Sequence, residues 1–109
     1  MAGFIQIVEY TTSRPDEVRA VSETFRERRR SEPGAAVRGT VTADRDRPGV
    51  YLSIVEFPSY EDAMANSKRP DTQQFAQAMM ALCDGPPRFL NLDVEQVFTP
   101  VPSQESLRA

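Results

Sequence analysis

Residues 4–10 (FIQIVEY) and 50–57 (VYLSIVEF) combine β-forming residues with large apolar side chains at both odd and even positions. Successive residues of a strand point to opposite faces of a sheet, so both faces of these two strands are predicted to be apolar. A sheet with one face in water shows a clean alternation of apolar and polar residues instead. The chain must therefore cover both faces of its sheet, and its own helices can cover only one of them.

The first helix is predicted between two turn signals. Ser13 and Asp16 form a capping-box pattern around Pro15, a residue that suits the first helical turn. Pro33-Gly34 ends the helix after an arginine-rich last turn, where cations are favourable beside the helix C-terminus. Apolar residues recur at helical spacing and form one stripe: Val18, Val21 and Phe25.

The middle of the chain predicts a β-hairpin. Residues 36–43 alternate partly between apolar and polar side chains, and residues 50–57 are the most strand-like segment of the chain. The sequence DRDRPG at 44–49 joins them and is typical of a polar turn. A last strand is predicted at 89–98, because FLNLDVEQVF alternates with the period of a strand.

Two short helices are predicted between the hairpin and the last strand. Ser59 and Asp62 form a capping box for the first of them, and Lys68-Arg69-Pro70 breaks it. Asp71 is the expected cap of the second helix, which ends at Gly85-Pro86-Pro87. The apolar stripe of this second helix consists of Phe75, Met79 and Leu82.

The order of these elements is β-α-β-β-α-β, with the second helix broken in two. It predicts an α+β, ferredoxin-like fold: a four-stranded antiparallel sheet with helices on one face. A chain of 109 residues fits one domain, which we assign to residues 1–99, followed by a loose arm at 100–109. Because the other sheet face is also apolar, we expect a second copy of the chain to cover it and form a homodimer.

The residue types exclude several classes of partner and site. A net charge of −3 does not attract nucleic acids. With Cys83 as its only cysteine and no histidine, the chain has no intrachain disulfide and lacks the usual zinc and copper ligands, so we expect no metal. The N-terminal MAGFIQIVEY does not resemble a signal peptide, and no apolar run is long enough to span a membrane. We expect a cytoplasmic protein.

Three stretches resemble the dimeric α+β-barrel superfamily, and within it the antibiotic biosynthesis monooxygenase-like proteins. They are FIQIVEY at 4–10, GVYLSIVEFPSYEDAMA at 49–65 and NSKRPDTQQFAQAMMAL at 66–82. The resemblance implies that two sheets close into a barrel, with a pocket between each sheet and its own helices. Members that oxidise aromatic polyketides need no metal or flavin, whereas the haem-degrading members use a histidine ligand that this chain lacks. We therefore expect no cofactor.

The chemistry that this resemblance implies selects the candidate catalytic residues. A cofactor-free oxygenase must stabilise an electron-rich anion such as a phenolate, and hydrogen-bond donors in a dry pocket do so. Asn66, Tyr51 and Arg38 are the candidate catalytic residues. Each has a plainer interpretation: a helix C-cap for Asn66, cross-strand aromatic packing for Tyr51, and an exposed or interface arginine for Arg38.

The candidate substrate-binding residues are aromatic, apolar and amide side chains expected around the same pocket. They are Tyr60, Met64, Gln74, Phe75 and Met79. Core packing is the plainer interpretation of Met64, Phe75 and Met79, although in this fold the core beneath the helices also lines the pocket.

Three functions stay open. The first is a cofactor-independent monooxygenase, or a related cyclase or isomerase, that acts on an aromatic or polyketide-like substrate. The second is a non-catalytic homodimer that binds a small apolar or anionic ligand, and the third is a structural or stress-related dimer whose pocket is filled by side chains. The enzyme hypothesis gains if Asn66 and Tyr51 converge on one enclosed cavity.

Overall fold

The computed structural model describes residues 2–100, which form one four-stranded antiparallel sheet and three helices. In chain order the elements are β1 (Phe4–Thr11), α1 (Pro15–Ser31), β2 (Arg38–Ala43), β3 (Val50–Phe57), α2 (Tyr60–Ser67), α3 (Pro70–Leu82) and β4 (Arg88–Asp93). The strands lie in the order β2-β3-β1-β4.

The predicted element order and the α+β, ferredoxin-like class are confirmed. The arm predicted at 100–109 lies, beyond Pro100, outside the described residues. Within the described part, no helix is both long and apolar enough to cross a membrane.

The strand register determines which side chains share a face of the sheet. Phe4 of β1 pairs with Phe57 of β3, and Phe4 also contacts Tyr60 of α2, with the ring centroids 5.4 Å apart. Every second residue of β1 counted from Phe4, together with its cross-strand partners, therefore points toward the helices, and we call this surface the helix side. The opposite surface, which carries the directly paired Ile7 and Ile54, is the open face.

The most deeply buried side chains lie where α2 packs on the helix side. Phe4 and Phe57 are only 2% and 1% exposed, and they form a cluster with Ala63 of α2. Val55 and Met64 pack around this cluster. Burial of two phenylalanine rings contributes several kcal/mol, about 1.5–3 kcal/mol for each ring. The largest fully buried side chains therefore lie at one end of the sheet, while Tyr10 and Val18 are buried near its other end.

The two short helices begin in different ways. The Ser59–Asp62 capping box of α2 is confirmed: Ser59 Oγ accepts a hydrogen bond from the Asp62 backbone N–H at 3.1 Å and donates one to the Asp62 carboxylate at 3.0 Å. The expected cap at Asp71 is wrong, because Arg69 occupies the N-cap position of α3 and Pro70 its first turn. Asp71 lies inside the helix, and its carboxylate accepts hydrogen bonds from Arg29, from Arg69 and from the Thr72 backbone N–H at 2.8 Å.

The expected Ser13–Asp16 capping box is also wrong, since α1 begins after Arg14 without a side-chain cap. The buried Thr12 holds the chain at this point. Its Oγ1 accepts a hydrogen bond from the Arg14 backbone N–H at 3.0 Å and donates one to the Leu82 carbonyl oxygen at 2.6 Å. A contact across the fold, between the end of β1 and the end of α3, therefore replaces the local cap.

The last strand is shorter than predicted. β4 ends at Asp93, whereas the alternating pattern predicts a strand to Phe98. Asp93 pairs with Phe4, the first residue of β1, and the Val94 backbone N–H donates one further hydrogen bond to the Gly3 carbonyl oxygen at 3.0 Å, beyond which no strand pairing is present within residues 2–100. The alternation thus continues beyond the sheet, and Val97 and Phe98 are 70% and 80% exposed.

The open face is apolar at its centre, which confirms that both faces of the two central strands carry large apolar side chains. Two ion pairs lie on this face beside the apolar centre: Arg38 Nε is 2.7 Å from Glu56 Oε2, and Arg47 Nη2 is 3.3 Å from Glu9 Oε1. No helix within residues 2–100 lies on this face. The partly exposed apolar residues on it are Ile5, Ile7, Leu52, Ile54 and Leu90.

Candidate functional site

A cavity of about 210 Å³ lies between α1 and the helix side of the sheet, and we call it the α1 cleft. Its floor consists of Tyr10 of β1, Tyr51 of β3 and Val41 of β2. Val18 and Ser22, one helical turn apart, line it from α1. Across the cleft α1 therefore faces three strands of the sheet, whereas the buried cluster of Phe4, Phe57 and Ala63 lies at the α2 contact.

The two tyrosines of the cleft floor form a stacked pair. Tyr10 and Tyr51 are directly opposite each other in the sheet, with ring centroids 5.7 Å apart and an angle of 20° between the planes. Burial raises the pKa of the Tyr10 phenol, and the neighbouring Cys83 and Tyr51 raise it further. Tyr10 therefore keeps its proton at neutral pH and can only act there as a neutral hydrogen-bond partner. Cross-strand packing of Tyr51 is confirmed, and the same ring also faces the cavity.

Cys83 has the surroundings of an unreactive thiol. Burial raises its pKa, and the nearby Asp84 carboxylate adds to the increase. The thiolate is the nucleophilic form of cysteine, so a thiol with a raised pKa is a poor nucleophile.

The rim of the α1 cleft is charged. Arg19, Glu23 and Arg26 line it on successive turns of α1. Arg19 lies 4.0 Å from Asp16, but neither Glu23 nor Arg26 has an ion-pair partner among residues 2–100. A carboxylate and a guanidinium without ion-pair partners in this part of the chain therefore line the same cavity as the two tyrosines. In the same part of the chain, no group of three or more histidine, cysteine, aspartate and glutamate side chains is arranged to hold a metal ion.

Polar residues continue along the helix side from the cleft. Val8 and Ser53 form the next cross-strand pair after Tyr10 and Tyr51, and both stay partly exposed although they lie on the two central strands. One step further, Gln6 Nε2 donates a hydrogen bond to Asn91 Oδ1 at 3.1 Å. Sequence reasoning missed these polar positions. The signal was present, because Gln6 and Ser53 each interrupt a strand of large apolar residues.

A second cavity of about 370 Å³ is an open groove between α1 and α3, which we call the α1–α3 groove. Phe25 of α1 and Phe75 of α3 stack at its base, with ring centroids 4.4 Å apart and an angle of 19° between the planes. Arg28 and Gln74 lie at its polar end and share a hydrogen bond of 3.1 Å.

A third polar site, the Arg29 clamp, joins the end of α1 to the junction of α2 and α3. Its members are Arg29, Asn66, Arg69, Asp71 and Thr72. Arg29 donates to Asp71 Oδ2 at 2.8 Å, to Asn66 Oδ1 at 3.0 Å and to the Thr72 hydroxyl. Both Arg29 and Asp71 are only 14% exposed. Such a shielded, multiply bonded pair holds the three helices together at this end.

The clamp controls the ionisation of Asp71. The hydrogen bond from Arg29 is the main cause that lowers the pKa of Asp71 from 3.8 to about 2. Burial opposes the decrease, and Arg69 adds to it with a contact of 3.1 Å. Gly34 lets the following loop pass over the clamp, since a Cβ atom there would lie 2.6 Å from Arg29 Nη1.

We expect the Asp71→Asn substitution to remove a pH-dependent part of the stability. A carboxyl group whose pKa is lower in the folded state stabilises the fold above its unfolded-state pKa, and this stabilisation is lost as the pH falls through the folded-state value. The difference in urea midpoint between the natural chain and Asp71→Asn should therefore be full above pH 4 and should shrink as the pH falls toward 2. Asp93→Asn, at an exposed carboxylate, is the control. A constant difference between pH 7 and pH 2 would contradict the assignment.

The three candidate catalytic residues lie in three different places. Tyr51 lines the α1 cleft, and Asn66 belongs to the Arg29 clamp. The interpretation of Asn66 as a helix C-cap is wrong, because α2 ends with Lys68 as its C-cap. Arg38 lies on the open face and pairs with Glu56, on the opposite side of the sheet from Tyr51. Asn66 and Tyr51 thus do not line a common cavity among those described.

The candidate substrate-binding residues are also dispersed. Gln74 and Phe75 line the α1–α3 groove. Met64 packs on the core cluster, Tyr60 contacts Phe4 edge to face, and Met79 is partly buried on α3. Of these five residues, only Gln74 and Phe75 line the same described cavity.

No protein-family model matches the sequence, and no curated protein is similar enough in sequence to be matched. Solved structures, in contrast, are similar over most of the chain. SnoaB, a cofactor-independent oxygenase from Streptomyces nogalater, is similar with a TM-score of 0.73 at 19% sequence identity, over 94% of this chain and 99% of that one.

Two further structures have the same architecture. An antibiotic biosynthesis monooxygenase has a TM-score of 0.70 at 16% identity, over 85% of this chain and 99% of that chain. A conserved protein from Methanosarcina mazei Go1 has a TM-score of 0.75 at 8% identity, over 87% of this chain and 95% of that chain. The predicted antibiotic biosynthesis monooxygenase-like fold is confirmed.

Proposed function

We propose that this chain, which has the fold of the antibiotic biosynthesis monooxygenases, is a cofactor-independent oxygenase acting on a hydroxylated aromatic substrate in the α1 cleft. The observation that carries the proposal is the stacked Tyr10–Tyr51 pair in a cavity whose rim holds the unpaired Glu23 and Arg26. Phenol donors, a base and a cation are the groups that such chemistry requires. The α1–α3 groove lacks a comparable set, because no tyrosine lines it and its single carboxylate, Asp71, is held by Arg29 and Arg69, which lower its pKa to about 2 and make it a weak base.

The proposed reaction begins with removal of a proton from a phenolic hydroxyl of the substrate by the Glu23 carboxylate. The phenolate is stabilised by the Arg26 guanidinium and by hydrogen bonds from the phenols of Tyr10 and Tyr51. The electron-rich ring then reduces dioxygen. One oxygen atom forms a new bond to a ring carbon and the other leaves as water, so that a phenol and O₂ give a quinone and H₂O. Dioxygen is the oxidant. Asn66 and Arg38 lie outside the cleft, and the proposal assigns them no step.

Oxygen consumption with a panel of hydroxylated polyaromatic compounds tests this proposal. We expect the Tyr51→Phe and Arg26→Gln variants each to lower kcat about 10- to 100-fold, because each removes a group that stabilises the developing anion. Arg30→Gln is the matched control, since Arg30 is an exposed α1 arginine that pairs with Glu27 at 3.5 Å. Oxygen uptake that is insensitive to both cleft variants would rule out the assigned site.

A homodimeric ligand-binding protein without catalysis is the second candidate. The observation that favours it is that Asn66 and Tyr51 do not line one cavity. If aromatic compounds bind in the α1 cleft and no oxygen is consumed, this candidate replaces the first.

We further propose that the chain forms a homodimer through its open face. The apolar centre of that face supports the proposal, because monomeric proteins rarely expose large contiguous apolar patches. The exposed Val97 and Phe98 beyond β4 add apolar surface for which the described part of one protomer has no cover.

A further inference from the structure

The base of the α1–α3 groove offers an aromatic surface. Phe25 and Phe75 lie almost parallel with their ring centroids 4.4 Å apart, and Val21 extends the apolar surface along α1. The walls carry the small side chains of Ala20 and Ala78, which leave the aromatic base accessible from outside. The volume of about 370 Å³ falls within the range of small-molecule sites.

One end of the groove carries hydrogen-bond donors, of Arg28 and Gln74, that have no acceptor within the described residues. Arg28 Nη1 donates to Gln74 Oε1 at 3.1 Å. Because a guanidinium only donates hydrogen bonds, the Gln74 amide must turn its oxygen toward Arg28. The Nε2 group of Gln74 is then left as a hydrogen-bond donor. Arg28 has no carboxylate within 4.0 Å among residues 2–100. The remaining Arg28 N–H groups and Gln74 Nε2 therefore form a site for an acceptor.

The charges around the groove favour an anion. Asp71 is the only acidic residue among those that line it, and it is bonded to Arg29 at 2.8 Å and to Arg69 at 3.1 Å. Two arginines thus compensate this one carboxylate, and Arg28 adds a further positive charge. Because both arginines hold the Asp71 carboxylate and lower its pKa to about 2, it is a weak base, which suits binding and not acid–base catalysis.

We infer that the α1–α3 groove is a second small-molecule site, for an aromatic carboxylate. The ligand ring packs against Phe75 and the edge of Phe25, since the Arg29 guanidinium lies over the Phe25 ring, 4.6 Å from its centroid, and the carboxylate accepts hydrogen bonds from Arg28 and from Gln74 Nε2. Bidentate pairing with a guanidinium gives carboxylates both affinity and orientation. This site lies on the α3 side of α1 and is separate from the α1 cleft, so it does not depend on the oxygenase proposal.

Calorimetric titration with 2-naphthoate tests the inference on the full chain. Three arginines of α1 provide matched variants: Arg28 in the groove, Arg26 in the cleft and Arg30 in solvent. We expect the Kd of 2-naphthoate to rise about 10- to 100-fold in Arg28→Gln, the value of one charge-assisted hydrogen-bonded contact. Arg26→Gln and Arg30→Gln should bind as the natural chain does. The neutral 2-naphthamide should bind at least about tenfold more weakly than 2-naphthoate.

Two results would overturn the inference. If Arg26→Gln weakens 2-naphthoate binding and Arg28→Gln does not, the carboxylate binds in the α1 cleft. If the natural chain shows no saturable binding at millimolar 2-naphthoate, the groove is not a site of this kind. Circular dichroism and the thermal midpoint of Arg28→Gln establish that the variant is folded. Oxygen uptake depends on Arg26 and 2-naphthoate binding on Arg28, so failure of one proposal leaves the other intact.

Discussion

The Phe57→Ala variant is expected to lose about 3–5 kcal/mol of unfolding free energy, because it removes a fully buried ring from the small core cluster. Few other side chains contribute as much buried apolar area to the core, since Phe4 and Phe57 are the largest fully buried side chains within the described residues. A domain of this size has a total stability of about 5–15 kcal/mol. The loss should lower the thermal midpoint by about 10 °C or more, which calorimetry can measure.

Phe89→Ala is the matched control for this prediction. Phe89 is also a strand phenylalanine, but it is 57% exposed, and its removal should cost about 1 kcal/mol or less. Both variants must be compared at one protein concentration, because association stabilises the folded state. Equal losses in the two variants would show that the cluster of Phe4, Phe57 and Ala63 is not the main source of stability.

The Ile54→Arg variant is expected to convert the proposed homodimer into monomers. Ile54 lies on the open face opposite Ile7 of β1 and Thr40 of β2, near the centre of the apolar surface. An unpaired guanidinium buried there would cost about 4 kcal/mol or more, which raises the dimer Kd about 1000-fold or more. Sedimentation should show two copies of the 12.2 kDa chain for the natural protein and one copy for the variant.

Gln77→Arg provides the control, because it adds the same charge at an exposed position of α3, far from the open face. It should sediment as the natural protein does. If the natural protein is itself a 12.2 kDa particle at micromolar concentration, the open face is not a dimer interface. A dimer that persists in Ile54→Arg would place the interface elsewhere.

Helix starts illustrate which local signals are reliable. The Ser59–Asp62 capping box was predicted correctly because both partners lie within one turn of each other. The cap at Ser13 was wrong because the neighbouring Thr12 reaches the Leu82 carbonyl, 70 residues away in the sequence. The cap at Asp71 was wrong because Arg29, 42 residues away, captures that carboxylate. A local pattern cannot indicate competition from a distant partner.

The candidate site shows the same difference between what a local sequence pattern predicts and what distant partners decide. Tyr51 was selected from its residue type and from the family resemblance, but its position beside Tyr10 follows from the β1–β3 register. Arg38 was excluded from the cleft by its place on the other face of the sheet. Gln6 and Ser53 were missed because a polar residue in an apolar strand has no evident partner until the strands are paired.

The amino-acid sequence by itself determined the type and order of the elements, the ferredoxin-like class and the apolar character of both sheet faces. These properties depend on the spacing of consecutive residues, so they can be read within one segment. Only the tertiary structure decided that Tyr10 and Tyr51 share a cleft, that Arg29 holds Asn66 and Asp71, and that β4 ends at Asp93. Each of these depends on partners far apart in the chain, and their pairing is settled by the register and packing of the whole fold.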